Sequence, residues 1–191
     1  MDGCKPINYP VDCATKLSKY FEYEIVDLTF FKRIVGSLRY LTIIRPDILY
    51  GVGLISRYME GPTLSHWKAA KRIICYIKGT VDFRLNYSFS NNVELIGYSG
   101  SDWGGYIDDR KSTSGFVFYM GDTAFTWSSK KQPIVTLSTC EAEYVAANSC
   151  ICHAVWVGHL WMEWGTPHKA ATDVFVDNKC ARAVAQKPVF H

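Results

Sequence analysis

The sequence has no long apolar run and only a small excess of charge of one sign. No stretch approaches the roughly 20 uninterrupted apolar residues of a membrane-spanning helix, and the first residues lack the apolar core of a secretory signal. We therefore expect an intracellular protein, cytoplasmic or nuclear, without a membrane partner. The net charge of +3 is too small to predict nucleic-acid binding by itself.

Cysteine patterns typical of zinc sites are also missing. The seven cysteines include no Cys-x-x-Cys pair and no matching Cys/His spacing. We predict that they are reduced thiols that pack in the interior, as is usual inside cells.

Apolar residues, by contrast, are plentiful. Of the 191 residues, 48% are hydrophobic and 15% are aromatic, which is enough to bury a sizeable core.

The first half of the chain has helical periodicity. Apolar residues recur at helical spacing in residues 30–44 and again in residues 48–59, after Pro46. A third predicted helix, over about residues 65–78, carries several basic residues and ends before Gly79. These features predict a helical region over residues 30–86, preceded by a poorly defined segment, residues 1–29.

The second half changes to short runs rich in β-branched and aromatic residues. We predict strands near residues 93–99, 116–120 and 124–128, a long helix from Ser138 to about Trp164, a fourth strand at 172–176 and a helix from Asn178. The first three strands are expected to pair antiparallel. The long helix then forms a right-handed crossover to the fourth strand, which pairs parallel, and the result is an α/β domain with a mixed sheet. Residues 87–191 are the predicted domain.

Three carboxylates lie where such a sheet places ligand sites, past the carboxyl ends of its parallel strands. Asp102 follows the first strand, Asp177 follows the fourth, and Glu143 lies in the first turns of the long helix. Each also has an ordinary structural explanation, because Asp and Glu commonly cap helices and form turns. Together they favour a site for hard divalent cations, of the kind that supports phosphodiester cleavage.

Five ordered segments carry a family resemblance. They read Gly97-Tyr-Ser-Gly-Ser-Asp-Trp-Gly-Gly, Asp108-Asp-Arg-Lys-Ser-Thr-Ser-Gly, Thr126-Trp-Ser-Ser-Lys-Lys-Gln-Pro, Leu137-Ser-Thr-Cys-Glu-Ala-Glu-Tyr-Val-Ala-Ala and Phe175-Val-Asp-Asn. These segments resemble successive motifs of the ribonuclease H domain of copia-type LTR retrotransposon polyproteins, with plant elements the most similar. Three upstream segments resemble the stretch that joins the reverse transcriptase to that domain. They read Val35-Gly-Ser-Leu-Arg-Tyr-Leu, Arg45-Pro-Asp-Ile and His66-Trp-Lys-Ala-Ala-Lys-Arg-Ile.

The resemblance implies a ribonuclease-H-like fold and an enzyme that cleaves the RNA strand of an RNA–DNA hybrid. It also implies a two-metal site in which Asp, Glu, Asp and Asp side chains hold Mg²⁺ or Mn²⁺. Glu143 and Asp177 match the second and third of these acids, whereas Gly100 stands at the position of the first. Asp102 is the nearest carboxylate, about 6.6 Å further along an extended strand. The predicted catalytic and metal-binding residues are therefore Glu143, Asp177 and Asp102, in an incomplete site.

Further expectations concern the chain end and the basic residues. The sequence stops at Pro188-Val-Phe-His191, before the family segment that supplies the last acid, so we expect a truncated copy whose fourth strand is an exposed edge. Arg110, Lys111, Lys130 and Lys131 either contact a nucleic-acid backbone or form ordinary solvated surface.

Several functions and partners are compatible with these features. Besides hybrid cleavage, a non-catalytic nucleic-acid-binding module and an inert retrotransposon relic are the alternatives. The expected partners are an RNA–DNA hybrid or another nucleic acid, together with a reverse transcriptase domain.

Overall fold

The computed structural model describes residues 5–12, 16–20, 24, 26–87, 94–165 and 171–186. The chain divides into two compact units, Met1–Leu85 and Asn86–His191, which we name the helical unit and the sheet unit. Parts of the predicted segment 1–29, and all of residues 187–191, lie outside the described residues.

The helical unit contains α1 (Leu28–Leu41), a 3-10 turn (Pro46–Ile48), α2 (Leu49–Ser56) and α3 (Leu64–Gly79). Helix α1 begins after Asp27, whose carboxylate accepts hydrogen bonds from the backbone amides of Thr29 and Phe30. Three residues of α1 at the predicted helical spacing are buried, namely Phe31, Val35 and Leu38. The prediction of three helices in this region is confirmed, although α2 ends at Ser56 instead of near residue 59, where residues 57–60 form turns.

A partly buried ion pair connects the turn before α2 to the end of α3. Arg45 donates hydrogen bonds to both carboxylate oxygens of Asp47, at 2.9 and 2.7 Å, and to the carbonyl and hydroxyl of Thr80, at 3.0 and 2.7 Å. The Tyr76 hydroxyl donates to Asp47 at 2.9 Å. Burial opposes ionisation of Asp47, but the hydrogen bonds from Arg45 and Tyr76 outweigh it and lower the pKa of this carboxyl.

The cysteine prediction is only partly correct. Cys75 in α3 is disulfide-bonded, so the prediction of a reduced thiol is wrong there. A disulfide depends on the distance between two side chains in the fold, which scattered sequence positions do not reveal. Cys150 is a free thiol in the interior, and burial raises its pKa to about 11. Cys152 and Cys180 are free but exposed, contrary to the expected burial.

The sheet unit contains β1 (Leu95–Asp102), β2 (Thr113–Met120), β3 (Thr123–Lys131), α4 (Thr139–Glu163), β4 (Asp173–Val176) and α5 (Lys179–Gln186). Its strand order is β3-β2-β1-β4. The first three strands pair antiparallel, and β4 pairs parallel to β1 after the crossover through α4. This mixed sheet confirms the predicted ribonuclease-H-like α/β fold. Of the described strands, β3 and β4 are at the edges.

Helix α4 packs on one face of the sheet and forms the core of this unit. The core residues are Leu95, Phe118, Cys150, Ala154, Val157 and Trp161. Gly97 is required by this packing, since a Cβ at its position would lie 2.6 Å from the Phe118 ring. Across both units, no helix of the described residues has the length and apolar character needed to cross a membrane.

Candidate functional site

The carboxyl ends of the parallel strands lie side by side at one end of the sheet. β4 pairs with β1 up to Val176, which lies opposite Ser99. The last three residues of β1, Gly100 to Asp102, extend past this pair, and Asp177 directly follows β4. This is the edge at which a ligand site is expected in such a sheet.

Glu143 is the carboxylate that the fold brings to this edge. It lies in the second turn of α4, with only 8% of its surface exposed. One carboxylate oxygen, Oε1, accepts hydrogen bonds from the backbone amide of Ser101 at 2.9 Å and from the Ser101 hydroxyl at 3.0 Å. The other oxygen, Oε2, is buried and has no hydrogen-bond partner among the described residues. A buried acceptor without a partner is costly, so this oxygen is a candidate ligand atom.

The neighbouring acid of the same helix has a different role. The Ser138 hydroxyl accepts from the Glu141 amide at 3.1 Å, and the Glu141 carboxylate accepts from the Leu137 amide at 2.7 Å. This arrangement is the predicted cap, shifted so that the Glu reaches the residue before the N-cap. Glu141 therefore holds the helix start, and Glu143 is the acid that faces β1.

Gly100 lies next to the residue that binds the Glu143 carboxylate. The Ser101 amide, which donates to this carboxylate, belongs to the peptide bond between Gly100 and Ser101. The partner of Gly100 on β2 is Gly115, which also lacks a side chain. A Cβ added at Gly100 would meet no heavy atom within 4 Å. The backbone at this position therefore has room for a larger side chain, and packing does not require glycine.

Asp102 is engaged in closing the loop between β1 and β2. Its Oδ1 accepts a hydrogen bond from the Thr113 amide, and Thr113 is also its partner in the β1–β2 pair. The Asp102 carbonyl accepts from the Gly105 amide at 3.3 Å. These contacts explain the turn role of Asp102 and hold its carboxylate on the β2 side of β1.

Asp177 is exposed at the end of β4. The following helix is capped by Asn178, whose side-chain oxygen accepts from the Ala181 amide at 3.0 Å. Asn178 thus supplies the capping bond, and the Asp177 carboxylate is not needed for it.

The three predicted ligands do not assemble into a complete metal centre. Among the residues that the structure describes, no group of three His, Cys, Asp or Glu side chains is placed to hold a metal ion. One buried carboxylate oxygen of Glu143 is available, Asp102 is bonded to Thr113, and position 100 has no side-chain ligand atom. The residues present therefore do not fit the two-metal centre that the resemblance implies.

Lys131 anchors the loop between β1 and β2. Its ammonium lies 2.6 Å from the Asp109 carboxylate and 3.6 Å from the centroid of the buried Tyr106 ring. The Lys111 amide also donates to Asp109, at 3.2 Å. Burial opposes ionisation of Asp109, but the hydrogen bond from Lys131, with further help from Lys111, lowers the pKa of this carboxyl.

Two of the other predicted basic residues project from the same end of the unit. Arg110 and Lys130 are exposed, whereas Lys111 is half-buried. Arg110 has a φ of 57°, in the left-handed region, and the hydrogen bond from the Tyr106 amide to the Lys111 carbonyl closes the loop around it. Arg110 and Lys130 are thus available to solvent beside the candidate site.

Two buried or half-buried polar residues at this end were not singled out from the sequence. Ser101 bonds Glu143 as described, and Gln132 donates to the Ser114 hydroxyl at 2.9 Å and to the Ala142 carbonyl at 3.0 Å. Gln132 thereby connects β2 to the first turn of α4. Both residues lie within the quoted motif segments, which is the signal that could have identified them.

Comparison with known proteins gives relatives along the whole chain. The chain is 38% identical over 191 residues to a protein named Retrovirus-related Pol polyprotein from transposon RE1 of Arabidopsis thaliana, which covers 100% of the chain. The Pol polyprotein from transposon RE2 of the same plant is 37% identical over 98% of the chain. That from transposon TNT 1-94 of Nicotiana tabacum is 35% identical over 100%.

These relatives are much longer than the chain. The chain spans 13% of the length of the RE1 and RE2 polyproteins and 15% of the TNT 1-94 polyprotein. No family model matches the chain. No solved structure matches it significantly.

Proposed function

The chain belongs to the retrovirus-related Pol polyproteins of copia-type transposons, and from this we propose that its sheet unit is a ribonuclease H domain that binds RNA–DNA hybrids without cleaving them. The observation that carries the proposal is Gly100, which adjoins the buried carboxylate of Glu143 at the end of β1. In the family motif, this position holds the first metal-binding Asp.

Loss of cleavage follows from the chemistry of the site. Two-metal hydrolysis needs carboxylates that offset the repulsion between the ions and hold them about 3.5–4 Å apart. Glu143 alone supplies one buried oxygen, and the Asp102 carboxylate is held on Thr113. We therefore expect metal affinity and turnover to be far below those of a chain with Asp at position 100.

Retention of hybrid binding is supported by the surface beside the site. Phosphate contacts need exposed cations on a rigid frame and do not need the metal-binding acids. Arg110 and Lys130 are exposed there, and the Asp109–Lys131 ion pair at 2.6 Å fixes the loop that carries Arg110. The ion pair that fixes this loop thus does not involve Gly100.

The metal half of the proposal is tested with Mn²⁺ and thermal unfolding of the full chain. Gly100→Asp adds a carboxylate where a Cβ meets no atom within 4 Å, and Gly100→Asn adds the same volume without the charge. We expect Mn²⁺ to raise the melting temperature of the Asp variant but not that of the Asn variant or the unmodified chain. An equal shift in all three proteins would contradict the role assigned to Gly100.

The binding half is tested by fluorescence anisotropy of a labelled RNA–DNA hybrid in EDTA, titrated with the full chain at several salt concentrations. We expect saturable binding that weakens steeply with salt. Absence of binding at low salt would exclude the binding function and favour an inert relic.

A further inference from the structure

The helical unit contains an apolar cavity of about 210 Å³ between the N-terminal segment, α2 and α3. Its apolar lining includes Val11, Leu17, Leu54, Ile55 and Ile73. An engineered apolar cavity of about 150 Å³ is large enough to take up benzene. This cavity therefore has room for a chain of about eight carbon atoms.

Cations line one side of this cavity. Lys68 and Arg72 are four residues apart on α3, so their side chains leave the same face of the helix. The nearest acid that lines the cavity is Asp12, whose carboxylate lies 3.6 Å from one terminal nitrogen of Arg72. Two cations against one carboxylate leave a net positive charge at the cavity.

Arg72 can offer hydrogen-bond donors to a ligand in the cavity. Its Nε is enclosed by protein atoms, but the side chain as a whole is 34% exposed, so its accessible surface belongs to its other atoms. A carboxylate is the acceptor that matches the planar donors of a guanidinium best. An apolar cavity lined by Arg72 and Lys68 is therefore complementary to a ligand with an alkyl chain and one anionic end.

We propose that this cavity binds a short anionic amphiphile, with its alkyl chain among Val11, Leu54 and Ile73 and its carboxylate at Arg72. The site lies wholly within the helical unit and is independent of the sheet unit's proposed function. Burial of the alkyl chain provides most of the affinity, and Arg72 provides selectivity for the charged end.

The test is calorimetric titration of the full chain with octanoate and with octanol, which has the same chain but no charge. We expect octanoate to bind with one-to-one stoichiometry and at least about tenfold more tightly than octanol, because a hydrogen bond to a charged group contributes that much or more. Equal affinity for the two probes, or no binding of octanoate, would overturn the proposal.

Three variants separate the alkyl contacts from the charge contact. Leu54→Trp fills the cavity and should weaken both probes by at least about tenfold. Arg72→Gln should abolish the preference for octanoate and leave octanol binding unchanged.

Asp12→Asn removes the carboxylate that competes for Arg72, so octanoate should bind several-fold more tightly. A gain of affinity cannot come from misfolding. Unchanged octanoate affinity in all three variants would show that binding occurs elsewhere on the chain.

Discussion

The contact between Glu143 and Ser101 gives the sharpest stability prediction. Glu143 is 8% exposed and accepts two hydrogen bonds from Ser101, one from the amide and one from the hydroxyl. A hydrogen bond to a charged group contributes about 1.5–3 kcal/mol. Ser101→Ala removes the hydroxyl bond alone and should cost about 1.5 kcal/mol. Glu143→Ala removes both bonds and a buried side chain, and should cost about 3–5 kcal/mol.

The two costs should not be additive, because the hydroxyl bond exists only while both partners are present. A double-mutant cycle should therefore give a coupling energy of about 1.5 kcal/mol. Urea unfolding of the full chain is monitored by hydrogen exchange. Peptides from β1 and α4 are measured, because they report on the sheet unit alone. A coupling energy below about 0.5 kcal/mol would refute the view that Glu143 holds α4 to the end of β1.

Three further predictions concern the sheet unit. Burial opposes protonation of His153 and lowers its pKa below the ordinary 6.5. The unfolded state therefore binds the proton more tightly, so the folded state has its full stability above pH 6.5 and loses stability as the pH falls through the lowered pKa. His153→Gln should flatten the dependence of the urea midpoint on pH on the acid side of pH 6.5. Lys130→Ala should weaken hybrid binding and reduce the salt slope by about 0.9, whereas Lys131→Ala, which breaks the pair with Asp109, should mainly loosen the loop; identical effects in the anisotropy assay would count against the distinction. Gly97→Ala should destabilise the unit by about 1–3 kcal/mol in urea, because its Cβ would lie 2.6 Å from the Phe118 ring; an unchanged midpoint would contradict that packing.

Periodicity was sufficient to predict the helices and the order of the strands, but it missed how far the strands extend. β1 continues to Asp102, past the predicted end near residue 99, through Gly100 and Ser101. Gly and Asp, at positions 100 and 102, have low intrinsic preference for strands. They are held extended by pairing with β2, in which Ser101 lies opposite Ser114. Such pairing is a tertiary contact that a window of sequence does not contain.

The candidate site shows the same division between local and distant information. Glu141 and Glu143 are two residues apart, and the capping pattern correctly separated the cap from the acid that faces β1. The contact between Glu143 and Ser101 joins residues that are 42 positions apart, so spacing could not reveal it. The hydrogen bond from Thr113 to Asp102 was hidden for the same reason. The metal-binding roles of Glu143, Asp177 and Asp102 stay predictions.

Cleavage of an RNA–DNA hybrid in Mn²⁺ tests the central claim most directly. The full chain is incubated with a hybrid labelled on its RNA strand, beside Glu143→Gln, which removes the charge of the buried carboxylate and reports any contaminating nuclease. With Gly100 in place of the first acid, we predict that the unmodified chain releases no more labelled RNA than Glu143→Gln does. Cleavage by the unmodified chain that Glu143→Gln abolishes would contradict the claim that catalysis is lost at Gly100.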